Sequence, residues 1–341
     1  MGMLMGVQQL KRRANALVDL GWLQPELLRR VPARGGVLML SAALMLELVS
    51  ACNVVRIGER SLSRKLERRG LRSESVRIGD ANISYFEGGE GRPVVLLHGF
   101  GASAVWQWHE QVGPLAKGRR VIVPDLLWFG DSWSKRRDFS LNHQIEVVAG
   151  LLDHLGVAEA DFVGISYGGI VAHELAAMYP ERVGKLVILD SPGRSYTAAD
   201  HQAMLERFGV DDVGKLLVPS TPADVQTLLD LGYHKPPRVP GWVQSQVLDG
   251  MYTQFRAEKV LLLETLLDEL DELDQRPGEV RHETLLIWGD QDSVFPVEIG
   301  KRLEAEMEGR AQLRVIEGAG HAPNLEHGSL VAKWLVEFLG I

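Results

Sequence analysis

Six short apolar segments alternate with helical segments from residue 92 onward, and this alternation constrains the fold more than any other feature. The first two are continuous apolar runs, as expected of strands buried on both faces of a sheet. Strands that alternate with helices predict a parallel sheet with helices on both faces. The predicted strands are RPVVLLHG (92–99), RRVIVPD (119–125), DFVGIS (161–166), KLVILDS (185–191), ETLLIWGD (283–290) and AQLRVIEG (311–318).

The alternation defines an α/β core that comprises residues 73–191 and 283–341. The core begins with a predicted hairpin, whose strands SVRIG and NISYFEGG meet near Gly79. Between its two parts, residues 192–282 contain helical patterns with proline-rich breaks and no strand pattern. We therefore expect a mostly parallel sheet with helices on both faces, and an inserted helical cap over residues 192–282.

Ser166 lies where a predicted strand meets the next helix, within the sequence GISYGG. A chain with 36 glycines can contain Gly-x-Ser-x-Gly by chance, so the position of the motif carries more weight than its letters. A sharp turn there lifts the serine above the sheet, and Gly164 and Gly168 leave the space that such a turn needs. Ser166 is therefore a candidate nucleophile. The alternative is a helix-capping serine in a glycine-rich turn.

A serine nucleophile needs a base to take its proton and an acid to orient that base. His321 lies in a loop of small residues, EGAGHAPNLE, directly after the last predicted strand. Three aspartates follow other predicted strands and are candidates for the acid, namely Asp190, Asp290 and Asp292. The residues by themselves leave the choice among these three open.

The ordered motifs HGFG (98–101), GISYGG, WGDQD and GAGH resemble those of the α/β-hydrolase superfamily, in its capped esterase- and lipase-like branch. The resemblance covers residues 75–341 and implies that Ser166 is the nucleophile, Asp292 the acid and His321 the base. Asp292 is preferred because it occupies the last position of the family pattern W-G-x-x-D, and Asp190 is the alternative acid. The reaction implied by such a triad requires no metal and no organic cofactor.

The resemblance also implies roles for the residues of HGFG. The backbone N–H groups of Phe100 and Tyr167 would form the oxyanion hole. Gly99 and Gly101 would allow the backbone to turn, and His98 would be a structural, hydrogen-bonding histidine rather than a base.

One loop departs from the family pattern. In PDLLWFGDS (124–132), Trp128 occupies the position where the first glycine is usual. This departure leaves the triad untouched but puts the shape of the loop, and hence of the pocket rim, in question.

The nucleophile narrows the function. Haloalkane dehalogenases and epoxide hydrolases of this fold need a carboxylate nucleophile, and residue 166 is a serine. We expect a carboxylesterase or lipase that acts on a small-molecule acyl ester, and the apolar cap segment VLLLETLL (260–267) favours a lipid-like acyl group. The alternatives on the same triad are a carbon–carbon bond hydrolase, a thioesterase and a cofactor-free perhydrolase. A non-catalytic ligand-binding protein is a further alternative.

The N-terminal arm, residues 1–72, differs in charge from the rest of the chain. It contains 13 Lys and Arg against 5 Asp and Glu, whereas the remainder contains 24 basic and 40 acidic residues. The acidic remainder argues against nucleic acid as a partner, and the basic arm favours an anionic membrane surface. The alternative is a solvated basic helix.

Residues 35–55 of the arm carry a single charge, Glu47, and are long enough as a helix to associate with a membrane. The segment predicts either a spanning helix or one that lies at the membrane surface, and hence a membrane-associated protein. A helix packed on the catalytic body, in a cytoplasmic protein, is one alternative. Another is a lipoprotein anchored at Cys52, since Val49–Cys52 resembles a bacterial lipobox.

Overall fold

A nine-stranded sheet forms the centre of the computed structural model, which describes residues 53–270, 273, 276 and 278–341. Its strand order is β1-β2-β4-β3-β6-β7-β8-β9, with the short β5 paired to β2. The hairpin β1–β2 is antiparallel, β2 is antiparallel to β4, and the remaining neighbours along this order are parallel. The strands are β1 (Leu71–Ile78), β2 (Ala81–Gly88), β3 (Pro93–Leu97), β4 (Arg120–Pro124), β5 (Trp133–Ser134), β6 (Ala160–Ile165), β7 (Val183–Leu189), β8 (Thr284–Gly289) and β9 (Ala311–Ile316).

Helices cover both faces of this sheet, which confirms the predicted fold class. A π-helical turn, Leu248–Tyr252, and a short 3₁₀ turn, Pro180–Arg182, lie among them. The α-helices are α1 (Val54–Glu67), α2 (Ala104–Trp108), α3 (Val112–Leu115), α4 (Leu141–His154), α5 (Tyr167–Met178), α6 (Ala198–Phe208), α7 (Gly214–Leu217), α8 (Pro222–Gly232), α9 (Gly241–Val247), α10 (Arg256–Leu270), α11 (Val297–Glu306), α12 (Pro323–Glu326) and α13 (Gly328–Leu339).

Successive residues of the central strands belong to two different hydrophobic clusters. In β3, Val95 and Leu97 pack with residues of α4 and α5, whereas Val94 and Leu96 pack with residues of α2, α3 and α13. This division follows from the alternation of side chains across a strand. It explains why the central strands β3, β4, β6 and β8 are mostly apolar runs, since neither of their faces meets water, whereas the outer strands β1 and β9 carry exposed side chains.

Helices α6 to α10 lie in the segment 192–282 that the sequence predicts to be a cap. Local signals place their ends. Thr197 and Asp200 form a capping box at the start of α6, and Gly209 ends that helix in the left-handed conformation. A third hydrophobic cluster lies among these helices and contains Met204 and Leu263. This cluster also includes Val294, from the loop after β8, so it joins the cap helices to the α/β core.

The predicted N-terminal arm lies mostly outside the described residues, and so do Cys52 and positions 35–52 of the predicted membrane-associating segment. The described part of the arm, residues 53–72, differs from the prediction at both of its ends. Val54 and Val55 belong to α1, because Asn53 is extended and its side chain accepts the Arg56 N–H as an N-cap. No helix among the described residues combines the length and the apolar character that crossing a bilayer requires.

Leu71 and Arg72, the last residues assigned to the arm, open β1 and pair with β2. The alternating pattern of β1 is weak because most of its side chains are exposed. Helix α1 is fixed to the body by Leu66, which is fully buried, and by Gly58, which lies against the Trp106 ring. The last turns of the predicted arm are thus part of the folded body.

Candidate active site

Ser166 occupies the sharp turn between β6 and α5. Its φ of 52° and ψ of −122° lie outside the regions that side-chain-bearing residues usually adopt. Two hydrogen bonds hold this conformation: the Ser166 N–H donates to the Leu189 carbonyl over 3.0 Å, and the Ser191 hydroxyl donates to the Ser166 carbonyl over 2.6 Å. The neighbouring strand β7 thus stabilises a strained serine at the carboxyl edge of the sheet.

The two glycines that flank Ser166 are required by close backbone contacts. A Cβ on Gly164 would collide with the Gly168 carbonyl, and a Cβ on Gly168 would collide with the carbonyls of Leu97 and His98. The strand, the turn and the helix therefore approach each other at distances that only glycine permits. These contacts explain why the Gly-x-Ser-x-Gly pattern has glycine on both sides of the serine.

His321 lies between Ser166 and Asp292 and hydrogen-bonds with both. The Ser166 hydroxyl donates to its Nε2 over 2.9 Å, and its Nδ1–H donates to Asp292 Oδ2 over 2.8 Å. The other oxygen of Asp292, Oδ1, accepts the N–H groups of Val294 and Phe295 at 2.8 and 3.0 Å. The structure thus brings together three residues that are far apart in the sequence, in an arrangement able to take a proton from the serine.

The other two candidate aspartates do not contact His321. Asp190 is fully buried after β7, and its Oδ1 accepts the Gly289 N–H over 2.9 Å. Burial, and then the charge of nearby Asp292, hold the pKa of Asp190 well above its ordinary value. Asp290 accepts the Gly318 N–H over 2.7 Å and so supports the loop that carries His321.

His98 is buried beside this site with both ring nitrogens in hydrogen bonds. Its Nδ1–H donates to the Gly99 carbonyl over 2.8 Å, and its Nε2 accepts the Leu126 N–H over 2.9 Å. Burial lowers its pKa to about 4, so the ring is neutral at neutral pH. His98 therefore joins the loop after β3 to the loop after β4.

The HGFG loop lies directly against the serine. A Cβ on Gly99 would be 3.3 Å from the Ser166 Cβ, and Phe100 packs edge-on against Tyr167. Tyr167 is the first residue of α5, so its N–H has no partner within the helix. Gly101 has a φ of 83°, in the region that favours glycine. The loop can therefore present backbone N–H groups near the Ser166 hydroxyl.

Tyr252 of the π-helical turn also contacts the HGFG loop. Its hydroxyl donates to the Gly101 carbonyl over 2.8 Å. Lys259, which is 3% exposed, donates to the carbonyls of Met251 and Gln254 at 2.9 and 2.8 Å, and so fixes the turn that carries Tyr252. Burial lowers the pKa of Lys259 to about 8. The sequence analysis identified neither Tyr252 nor Lys259. The one feature that could have indicated them is a lysine, Lys259, directly before the apolar helical segment 260–267.

Trp128, which stands where the first glycine of the family pattern is usual, adopts a left-handed backbone conformation that favours glycine. Its φ is 73°, and its N–H donates to the Ser132 carbonyl over 3.0 Å. The indole is 4% exposed and packs against the rings of Phe139 and Phe255, with ring centroids 5.4 and 5.8 Å apart. The loop therefore keeps its left-handed turn, and the tryptophan side chain adds an aromatic contact between the core and the cap.

A cavity of about 1110 Å³ contains Ser166 and His321 in its wall. One set of lining residues comes from the cap and from nearby core loops and is aliphatic or aromatic. A second set comes from α1, α2 and the segments around residues 235 and 326, and includes charged residues. Among the described residues, no group of three or more His, Cys, Asp or Glu side chains is arranged to hold a metal ion. The apolar set includes Ile170, Met204, Leu217, Leu228, Leu263, Leu266, Leu267, Val294 and Phe295.

Comparisons with known proteins agree with this architecture. A family model described as the alpha/beta hydrolase fold matches residues 92–328. The chain is 32% identical over 262 residues to 2-hydroxymuconate semialdehyde hydrolase of Pseudomonas sp. (strain CF600), which covers 74% of this chain and 88% of that protein.

Two further relatives are lipid hydrolases by name. Human monoacylglycerol lipase ABHD6 is 28% identical over 280 residues, covering 79% of this chain and 82% of that protein. The crystal structure of a bacterial membrane phospholipase A superposes with a TM-score of 0.71 and 29% identity, covering 89% of this chain and 95% of that one.

Proposed function

The chain belongs to the alpha/beta hydrolase family, and on that premise we propose that it is a serine hydrolase that cleaves carboxylic esters with long, apolar acyl groups. The observation that carries this proposal is the hydrogen-bonded set Ser166, His321 and Asp292, of which Ser166 and His321 line a large cavity with an extensive aliphatic lining. Ester hydrolysis needs such a nucleophile, and a lipid-like acyl group needs such a cavity.

The proposed reaction proceeds through an acyl-enzyme. His321 Nε2 takes the proton of the Ser166 hydroxyl as Oγ attacks the ester carbonyl carbon. The backbone N–H groups of Phe100 and Tyr167 stabilise the resulting oxyanion, an effect worth about 3 kcal/mol per donor. His321 then gives its proton to the departing alkoxide, and the C–O bond of the ester breaks. Water attacks the acyl-enzyme in the same way and releases the acid.

Asp292 has a positioning role in this reaction. Its Oδ2 accepts the Nδ1–H of His321, which keeps Nε2 free to accept the serine proton. When His321 becomes positively charged, the adjacent carboxylate stabilises that charge. Because two backbone N–H groups hold Oδ1, the carboxylate is fixed before the reaction begins.

The size of the cavity supports a long acyl group. Pockets for drug-sized ligands occupy about 300–1,000 Å³, and the cavity here lies above that range at about 1110 Å³. Leucine, methionine and valine side chains of the cap and the nearby loops line much of it. An acyl chain that leaves water for this lining would gain up to about 0.8 kcal/mol for each buried methylene.

A carbon–carbon bond hydrolase is the second candidate function, and the likeness to 2-hydroxymuconate semialdehyde hydrolase favours it. The compound in that name is a small, anionic molecule, which would leave most of the large apolar cavity unfilled. Thioesters and perhydrolysis would use the same triad. We prefer an ester with a long acyl chain because burial of that chain against the aliphatic lining of the cavity would contribute binding free energy.

Acyl-chain length provides the direct test. We expect kcat/KM for p-nitrophenyl esters to rise at least about tenfold from butanoate to dodecanoate, because the added methylenes are buried in the cavity. Leu228→Trp, which narrows the wall, should move the preference towards shorter chains. A preference for acetate esters, or faster turnover of 2-hydroxymuconate semialdehyde than of any ester, would contradict the proposal in favour of the second candidate.

Tyr252→Phe should lower kcat about two- to tenfold with little change in KM. The variant loses the hydroxyl that hydrogen-bonds to the Gly101 carbonyl, and one such bond contributes about 0.5–1.5 kcal/mol. Tyr233→Phe is the matched control, because Tyr233 also lines the cavity and the Gly101 carbonyl is not its partner. Equal losses in both variants, measured by steady-state kinetics, would show that the contact with Gly101 has no special role.

We also propose that the N-terminal arm brings the enzyme to an anionic membrane surface. The 13 basic residues of positions 1–72 support this, and five of them, from Arg56 to Arg68, lie on or directly after α1. The full chain should sediment with vesicles that contain phosphatidylglycerol and release from them in high salt. Equal sedimentation with vesicles of phosphatidylcholine alone, or none with either, would contradict the electrostatic part of this proposal.

A further inference from the structure

The cavity extends from Ser166 to helix α1, which contributes one charged face to its wall. Ser61, Leu62, Lys65 and Arg68 line the cavity, whereas Arg56, Arg60 and Arg64 do not. Positions 61, 65 and 68 are spaced by four and three residues, so they share one side of the helix. Lys235, from the segment after α8, also lines the cavity. The cavity therefore has cations in its wall from two separate parts of the chain.

In the part of the chain that the structure describes, no carboxylate pairs with the side chains of these cations, although the backbone N–H of Lys235 donates to Glu326 Oε1 over 3.3 Å. Within the described residues, Lys65, Arg68 and Lys235 make no side-chain hydrogen bond and no ion pair, whereas many basic side chains elsewhere are paired, Arg119 with Asp161 and Arg120 with Glu87 among them. Cations that line a cavity without a partner are available to an anionic ligand.

Two glutamates also line this part of the cavity, and both have other contacts. Glu326 accepts the N–H groups of Gly320 at 2.6 Å and of His234 at 3.0 Å. Glu110 is 3.9 Å from the His109 ring. Burial, with a contribution from the nearby charge of Lys65, lowers the pKa of His109, so its ring is neutral at neutral pH. Neither glutamate forms an ion pair with Lys65, Arg68 or Lys235, so both the cations and the glutamates contribute to the electrostatics of this part of the cavity.

We propose that Lys65 and Arg68 form a phosphate subsite in this cavity, and that the preferred substrate is an acylglycerol with a phosphate-bearing headgroup. This inference rests on the proposed ester hydrolysis at Ser166. The acyl chain would lie among the apolar residues of the cap, and the phosphate among the cations of α1. Arginine suits this task because its planar guanidinium binds phosphate through two parallel hydrogen bonds, and lysine adds a second positive charge.

The test compares two esters that share one acyl chain, both below their critical micelle concentrations. These are 1-octanoylglycerol and 1-octanoylglycerol 3-phosphate. We expect kcat/KM to be about tenfold or more higher for the phosphate-bearing ester, as one charge-assisted contact implies. Lys65→Ala/Arg68→Ala should bring the ratio of the two values close to one by lowering kcat/KM for the phosphate-bearing ester alone. Arg60→Ala/Arg64→Ala, with the same charge change on the same helix but outside the cavity, should keep the preference.

Equal effects of the two double variants would overturn the subsite in favour of a general electrostatic attraction, and an unchanged ratio in the Lys65/Arg68 variant would overturn it outright. Inhibition of ester hydrolysis by millimolar inorganic phosphate distinguishes a site for a free phosphate ion from a site for a lipid headgroup. Inhibition equal to that by octyl phosphate would assign the site to the free ion and contradict the proposal. Binding of octyl phosphate to the Ser166→Ala variant, measured by calorimetry, gives a readout without turnover. Its loss on adding the Lys65 and Arg68 substitutions supports the subsite even where no ester is hydrolysed, and retained binding contradicts it.

Discussion

Ser166→Ala is expected to abolish covalent labelling by a fluorophosphonate and to lower kcat/KM for esters by about 10⁴- to 10⁶-fold. The hydroxyl that donates to His321 Nε2 over 2.9 Å is the group that would attack both the probe and the substrate in the proposed mechanism. Alanine removes it while leaving the remaining contacts of the turn in place. The measurement is the intensity of labelling in a gel, together with steady-state kinetics on the best ester.

Ser75→Ala is the control for this experiment, because Ser75 is exposed on β1, away from the cavity wall. It should label as fast as the unmodified chain. Labelling that persists in Ser166→Ala would show that another residue is the nucleophile, and the proposed mechanism would then be wrong.

Asp292→Asn should lower kcat by about 10⁴-fold, because an amide in place of the carboxylate favours the wrong tautomer of His321 and does not stabilise its positive charge. Asp190→Asn should cost less than about tenfold, since it removes no contact to His321. Asparagine suits position 190, where φ is 40° and the side chain accepts the Gly289 N–H. The pair of variants therefore separates the two candidate acids. An equal loss in both, in proteins with unchanged melting temperatures, would contradict the assignment to Asp292.

The pH dependence of stability gives a second test of Asp190. Because its pKa is higher in the folded chain than in the unfolded chain, the wild type loses stability as the pH rises above the ordinary range of a carboxyl group. The Asn variant lacks this loss. Its melting temperature relative to the wild type should therefore increase between about pH 5 and about pH 8. A difference that stays constant over this range would show that Asp190 titrates normally.

The sheet, and the proximity of the three proposed triad residues, could be predicted from the sequence because both depend on local patterns. Strands buried on both faces leave continuous apolar runs, and parallel strands bring their carboxyl ends to one edge, where Ser166, Asp292 and His321 meet. The tight approach of strand, turn and helix leaves a signature in Gly164 and Gly168. The choice of Asp292 over Asp190 needed more than this, since both follow apolar strands.

The contacts of the cap were not accessible in this way. Tyr252 and Gly101 are 151 residues apart, and neither position carries a pattern that predicts their hydrogen bond. The conformation of Trp128 was also hidden, because an indole ring is not expected where φ is 73°. It is stabilised by aromatic contacts with Phe139 and Phe255, which depend on the folded core and cap.

The hydrogen bond from Tyr252 to Gly101 couples the position of the cap to the conformation of the loop beside Ser166. A ligand that favours the cap position in which this bond forms also favours that arrangement of the loop. By thermodynamic reciprocity, a second ligand that binds at the loop would then strengthen the binding of the cap ligand by the same factor by which the cap ligand strengthens the binding of the second ligand. For the proposed hydrolase, the affinity of the cap for a substrate and the arrangement of the loop beside Ser166 would then be linked by one coupling free energy.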